Sequence, residues 1–245
     1  MPNVGPALFL IACYALGVQL AASALLAWLG PDWLWRATLG AEAGFLTGLV
    51  FYLRRLDPYI LGLKAVDWGE AVLVVLWLQA IAFASDAAIL WLAPAALLDR
   101  YLQLFQPHSP AEWFALAALA VGVAPVIEEV LFRGLLLAAL RYRLGTAAAI
   151  VASALLFSAI HLEWVQIAAA LPVGLMLGAY VARGGSLYVT AAAHILGNGF
   201  SFLGLICPGL PWLSADWRPT DSEGALALLV AAGLLGKFLR RYPIA

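Results

Sequence analysis

The sequence predicts an all-α polytopic membrane protein, a bundle of about eight transmembrane helices. Hydrophobic residues make up 65% of the 245 residues, charged residues make up 11%, and the mean hydropathy is +0.97. A soluble domain averages about 25% charged residues, so this chain has too little polar surface to fold alone in water. The apolar stretches extend over the whole length, which indicates a single membrane domain, 1–245.

Each predicted helix is an apolar stretch bounded by polar or turn-forming residues. Ser109, Pro110 and Glu112 mark the start of the fourth helix, as an N-cap, a first-turn proline and a capping-box glutamate. Pro125 lies inside that helix and predicts a bend, either to fit neighbouring helices or to border a cavity. The eight predicted ranges are 7–29, 36–53, 70–93, 111–140, 147–162, 165–183, 187–206 and 223–239.

The segments outside the spans indicate the orientation. An even number of spans puts both termini on one side, and nine of the twelve loop and terminal basic residues fall on that side. The positive-inside rule then predicts a multi-pass protein of the cell membrane with both termini in the cytoplasm. The segment 94–109 carries an apolar stripe, which fits either a helix lying in the interface or one that plugs the bundle end.

Composition excludes some function classes. A net charge of −1 argues against a nucleic-acid partner. Cys13 and Cys207 lie in or at the ends of apolar segments, and no structural disulfide is predicted between them. The first residues lack the basic region of a cleavable signal peptide, so the first span is expected to be retained.

Two adjacent carboxylates lie in the fourth span, where ionisable side chains are rare and usually functional. Glu129 and Arg133 are four residues apart in the order that favours an ion pair, which predicts a structural pair. Adjacent helical residues point about 100° apart, so Glu128 is expected to face a cavity as a candidate general base. The alternative is that both glutamates form a buried polar network that fixes helix register.

Two further pairs have a four-residue spacing. Phe157 and His161 share one helical face, so the phenylalanine is expected to pack beneath the imidazole. His194 and Asn198 share another face, which suits an oxyanion hole or a metal ligand with its support. Each spacing alone is a weak signal, but three such elements in one strongly apolar chain point to a water-activating hydrolase.

Together these motifs resemble the CPBP family, the CAAX-processing and bacteriocin-processing intramembrane proteases also called Abi proteins. The resemblance covers about residues 111–205, the expected catalytic core, and every motif position is filled. It implies an endopeptidase that acts on a membrane-associated protein or peptide at the lipid bilayer. In the family, the positions of Glu128 and His161 activate water, those of His194 and Asn198 stabilise the oxyanion, and those of Glu129 and Arg133 support the site.

The metal requirement is a separate question. Glu128, His161 and His194 could hold a catalytic zinc and leave a fourth position for water. No His-Glu-x-x-His motif is present, and no second carboxylate would be left as a base. We therefore favour a glutamate-activated water without a cofactor, with zinc as the alternative.

Several points stay open from the sequence. A transporter with a buried Glu/His site and a non-catalytic immunity protein are the alternative functions, although no internal repeat supports a transporter. Glu42 and Asp86 are further buried carboxylates, assigned either to a substrate or proton path or to hydrogen bonds with neighbouring helices. His161 and His194 also lie at different predicted depths, about 21 and 10 Å from the same side, unless the short fifth helix is tilted.

Overall fold

The computed structural model describes residues 4–56, 61–207 and 218–242. Within these ranges the chain is helical, without strands, and the nine helices are numbered in order. They are α1 Val4–Leu29, α2 Leu34–Leu53, α3 Trp68–Leu92, α4 Ala95–Gln103, α5 Pro110–Leu144, α6 Thr146–Ala159, α7 Trp164–Ala182, α8 Leu187–Ile206 and α9 Asp221–Arg241.

The eight predicted helices are all present, and the all-α membrane fold is confirmed. Among the described residues, six helices are long and apolar enough to cross a membrane, namely α1, α3, α5, α7, α8 and α9. The ninth helix, α4, falls in the segment predicted to lie in the interface or to plug the bundle. Leu98 of α4 is buried, and Phe105 just beyond α4 stacks on Trp35 of α2. These contacts favour the plug.

Helix α6 ends earlier than the sequence predicted. Its 14 residues reach Ala159, whereas the prediction extended the helix to residue 162. At 1.5 Å per residue it is about 21 Å long, shorter than a ~30 Å hydrocarbon core. His161 therefore lies in the turn after α6, followed by Leu162, whose φ is +60°. The prediction that His161 occupies a helix was wrong.

Helix α5 is the longest, and its hydrogen bonding changes along its length. Ser109 caps it by accepting a hydrogen bond from the Glu112 amide, as predicted. The stretches Ala118–Val123 and Glu129–Leu136 are π-helical; in the second, the Leu137 N–H donates to Phe132, five residues back. The first stretch ends two residues before Pro125, which has no N–H to give to the preceding turn.

Hydrogen bonds between loops define one end of the bundle. The loop after α2 meets the α7–α8 turn, where Lys64 donates to the Gly184 carbonyl at 3.2 Å. Tyr242, which follows α9, donates to Glu70 of α3 at 2.9 Å. Burial raises the pKa of the Tyr242 hydroxyl to about 12, and the Glu70 carboxylate acts in the same direction, so the hydroxyl stays protonated as a donor. The first turns of α1 contact the last turns of α5 at this same end.

The opposite end has its own links. Arg36 of α2 pairs with Glu112 of α5 at 2.6 Å, and the Trp35 amide donates to the same carboxylate at 2.8 Å. Trp91 of α3 donates to Asp221 of α9 at 3.0 Å. The side chain of Glu112 therefore joins α5 to α2, while its backbone amide donates to Ser109 in the predicted N-cap.

Helices α6 and α7 form a tight antiparallel hairpin against α5. A Cβ at Gly174 of α7 would lie 3.0 Å from the Ala154 Cβ and 3.2 Å from the Phe157 ring of α6. Ser153 of α6 donates to the Phe132 carbonyl of α5 at 3.0 Å. These contacts fix Phe157, which is fully buried, between the hairpin and α5.

Candidate active site

Two carboxylates flank the imidazole of His194. Glu129 Oε1 accepts a hydrogen bond from Nδ1 at 3.0 Å, and Glu128 Oε2 lies 3.7 Å from Nε2. All three side chains are buried, with exposures of 0%, 7% and 6% for Glu129, Glu128 and His194. The two adjacent carboxylates thus approach different nitrogens of the same ring, Glu129 at Nδ1 and Glu128 at Nε2.

The ion pair predicted between Glu129 and Arg133 is present. Arg133 Nη1 lies 3.0 Å from Glu129 Oε1, with both side chains fully buried. The guanidinium carbon also lies 4.1 Å from the centroid of the Phe157 ring, a cation–π contact. Within the part of the chain that the structure describes, neither terminal nitrogen of Arg133 has a hydrogen-bond partner, so nearby carboxylate charge and the Phe157 ring stabilise it.

Phe157 is the common neighbour of the two histidines. Its ring centroid lies 5.3 Å from that of His161 and 5.8 Å from that of His194, both edge-on. The prediction that it packs against His161 is confirmed. Both histidines therefore pack against one ring, although their predicted depths differed.

His161 is held in a defined tautomer. Its Nδ1 lies 3.0 Å from the Phe157 carbonyl oxygen, which only accepts, so the proton is on Nδ1. The Nε2 lone pair is left for another group. Within the described residues no hydrogen bond or ion pair joins His161 to Glu128, so these two candidate catalytic groups are not bonded to each other directly.

Asn198 follows His194 by one turn of α8. Its amide donates to the carbonyl oxygen of Ala120, in the first π-helical stretch of α5, at 2.7 Å. This bond attaches α8 to α5 about two turns before the glutamates and uses one of the two amide protons.

Two residues that the sequence analysis did not place in the site complete the surroundings of Glu128. The hydroxyl oxygen of Tyr14 on α1 lies 3.4 Å from Glu128 Oε1 and 3.3 Å from Glu42 Oε1 on α2. Glu42 was noted as a buried carboxylate, but Tyr14 carries no pattern that marks it. The only signal for it was a polar group in the middle of an apolar span.

The π-helical stretches coincide with this cluster. The described residues contain three of them: Cys13–Gly17 includes Tyr14, Ala118–Val123 includes the partner of Asn198, and Glu129–Leu136 includes the ion pair. Such stretches are rare and frequently occur at functional sites. They widen the turn, so side chains are presented at spacings that a regular α-helix does not offer.

The donor groups do not fit a metal in this arrangement. Among the described residues, no three His, Cys, Asp or Glu side chains gather around a point that could hold a metal ion. Of the three proposed ligands, Glu128 and His194 adjoin, but no hydrogen bond or ion pair among the described residues joins His161 to either of them. We therefore assign no step to zinc.

A small cleft approaches the site from the end that carries the Lys64–Gly184 hydrogen bond. Its volume is about 100 Å³, and its charged lining residues are Lys64, Arg133 and Arg141. Arg133 thus separates the cleft from Glu129. A second cleft, of about 140 Å³, lies at the opposite end and is lined by Glu112 and His108 among others.

This arrangement has the parts of a hydrolytic site. Glu128 is a carboxylate suited to accept a proton from water, and His194 presents Nε2 to the same space. Glu129 fixes the ring of His194 through Nδ1, which is how a carboxylate commonly orients a catalytic histidine. A buried setting strengthens each of these electrostatic contacts.

Comparison with known proteins agrees with the motifs. Residues 110–200 match the family model described as Rce1-like, Type II CAAX prenyl endopeptidase Rce1-like. All seven motif residues lie within the match, which confirms the resemblance predicted from the sequence. The comparisons with curated proteins and with solved structures gave no match.

Proposed function

We propose, from the match of residues 110–200 to a family of membrane proteases, that this chain is an intramembrane endopeptidase acting on a membrane-associated protein or peptide. The observation that carries the proposal is the buried imidazole of His194 between Glu128 and Glu129. A carboxylate beside an oriented imidazole, within an apolar bundle, suits the activation of water on a peptide bond.

In this proposal Glu128 is the general base. Its carboxylate accepts a proton from the water as the water oxygen bonds to the carbonyl carbon, and it passes that proton to the leaving nitrogen as the C–N bond breaks. His194, as an imidazolium that keeps its Nδ1–H on Glu129 and donates its Nε2–H, stabilises the oxyanion together with the second amide proton of Asn198. His161 supports the water through its Nε2, and Glu129, Arg133 and Phe157 hold the histidines in place.

The substrate is proposed to enter from the end that carries most of the basic residues, which we assign to the cytoplasm. The cleft lined by Lys64, Arg133 and Arg141 lies at that end and suits an acidic group of the substrate. A CAAX-type C-terminal segment, a bacteriocin leader and a sorting tail are the candidate substrates, each a peptide held at the bilayer.

We propose that no metal takes part. The support is the donor set, in which Glu128 and His161 do not come together. Purified protein is expected to keep its activity after exhaustive chelation. Loss of activity with phenanthroline, restored by added zinc, would instead favour the metalloprotease mechanism.

The central test compares membranes from cells that carry the wild-type chain or Glu128→Gln. The amide keeps the shape of the side chain but cannot take a proton from water. An unprocessed membrane-associated protein should accumulate only with the variant, by membrane proteomics. Asp86→Asn is the matched control, since Asp86 is another carboxylate within a span and has no hydrogen bond or ion pair to the seven motif residues. Normal processing by purified Glu128→Gln would remove Glu128 as the base.

A further inference from the structure

Tyr14 and Glu42 reach Glu128 from outside the matched region. They belong to α1 and α2, whereas the family match begins at residue 110. Tyr14, Glu42 and Glu128 are all buried, and the tyrosine hydroxyl lies between the two carboxyl groups. The three side chains form a connected group that no part of the family match accounts for.

The protons in this group can be counted. The tyrosine hydroxyl has one proton and can donate it to one carboxyl oxygen at a time. A hydroxyl between two ionised carboxylates would turn a lone pair towards one of them, which is unfavourable in a buried site. The arrangement is satisfied when one carboxyl group carries a proton and donates it to the hydroxyl.

The neighbours of the two carboxyl groups indicate which one holds the proton. Glu128 faces His194 through its second oxygen, so Glu128 has a cationic or hydrogen-bonding group on that side. The second oxygen of Glu42 has no hydrogen-bond partner and is buried. A carboxylate with no second partner is the costlier one to keep ionised. The directed chain therefore runs from Glu42 to Tyr14 to Glu128.

We infer that Tyr14 and a protonated Glu42 are positioning residues for Glu128. This inference rests on the proposed function. The hydrogen-bond chain holds Glu128 Oε1 in place and leaves Oε2, which lies beside His194, for the catalytic water. Glu42 acts as a neutral hydrogen-bond donor to Tyr14, so the role does not need a negative charge on Glu42. If the contact between Glu42 and Tyr14 were only structural, position 42 would not need a hydrogen-bond donor.

Substitutions separate these roles. Glu42→Gln mimics the protonated acid, because its amide still donates to Tyr14, whereas Glu42→Leu removes the donor. We expect Glu42→Gln to keep kcat within about twofold, and Glu42→Leu and Tyr14→Phe each to lower kcat by about tenfold or more with little change in KM. In the Tyr14→Phe background, Glu42→Leu should add little further loss. The assay is processing, in purified form, of the protein that accumulates with Glu128→Gln.

A spectroscopic measurement tests the inference even if no substrate is found. The infrared difference spectrum between the wild-type protein and Glu42→Gln should show the carbonyl stretch of one protonated carboxylic acid, and Tyr14→Phe should shift that band. Thermal melts confirm that each variant folds. Absence of the band, or a Glu42→Gln variant as inactive as Glu42→Leu, would overturn the inference. Absence of any accumulating protein would count against the proposed function alone.

Discussion

Glu129 is the side chain that contacts both His194 and Arg133 in the buried site. The same oxygen, Oε1, accepts from His194 Nδ1 and pairs with Arg133. Among the described residues neither terminal nitrogen of Arg133 has a hydrogen-bond partner, so loss of Glu129 would remove the carboxylate that lies 3.0 Å from this buried guanidinium. Burying an unpaired charge is strongly unfavourable.

We therefore predict that Glu129→Ala and Arg133→Ala each lower the free energy of unfolding by about 3–5 kcal/mol. The double substitution should be less harmful than the sum of the two singles, because the second change removes a charge that the first left unpaired. Thermal melts of the purified variants in detergent measure this. Strict additivity would show that the pair contributes no coupling, and Arg54→Ala, at an exposed position, is the control.

At the scale of single residues, the sequence predicted contacts between residues that are close along the chain. The Glu129–Arg133 ion pair and the Phe157–His161 packing follow from a spacing of four, and both are present. The contact of Tyr14 with Glu128 joins residues 114 positions apart, and no local spacing encodes it. It arises only when α1 packs against α5.

At the scale of helices, Gly174 allows α6 and α7 to approach each other. Its position facing Ala154 and Phe157 leaves no room for a larger side chain. We predict that Gly174→Val destabilises the protein by about 1–3 kcal/mol and lowers activity, since overpacking would displace Phe157 from beneath both histidines. Melts and a processing assay measure the two effects.

The matched control for that substitution is Gly44→Val. Gly44 also lies within a helix, but a Cβ there meets nothing within 4 Å. The same change of side chain should therefore leave stability and activity nearly unchanged. An equal loss in both variants would show that valine acts through helix propensity instead of through the α6–α7 contact.

The helices themselves were predictable, but their irregular turns were not. Apolar length gave all eight predicted helices, and Ser109 and Pro110 marked the start of α5. The π-helical stretch Glu129–Leu136 follows from no apolar spacing or capping residue, so the sequence did not predict it.

At the scale of the whole molecule, the two ends of the bundle carry different charges and different links. The end with the Lys64–Gly184 bond also carries Arg141 and Arg143, and we propose that it faces the cytoplasm. In a background without Cys13 and Cys207, which are unpaired, a cysteine at Arg143 should react with an impermeant thiol reagent only in inside-out vesicles. A cysteine at Gln106 should react only from the outside. The reverse pattern would overturn the orientation.

The overall architecture followed from composition, whereas the meeting of the two histidines did not. The long continuous apolar stretches predicted a helical bundle, because a transmembrane helix needs about 20 apolar residues in a row and satisfies its own backbone in lipid. His161 and His194 were predicted at different depths, yet both pack against Phe157. The apolar residues of the sequence extended α6 three residues beyond its end at Ala159.

The hydrogen bond between Tyr14 and Glu42 also bears on how the protein is made. Both residues belong to the first helical hairpin, so this hairpin can enter the bilayer with its buried acid already partnered. Glu128 is translated 114 residues after Tyr14, about 6–23 s later at a synthesis rate of about 5–20 residues per second. During that interval the nascent hairpin shields a carboxyl group from lipid, and it then presents to the arriving α5 a hydroxyl already oriented to receive Glu128.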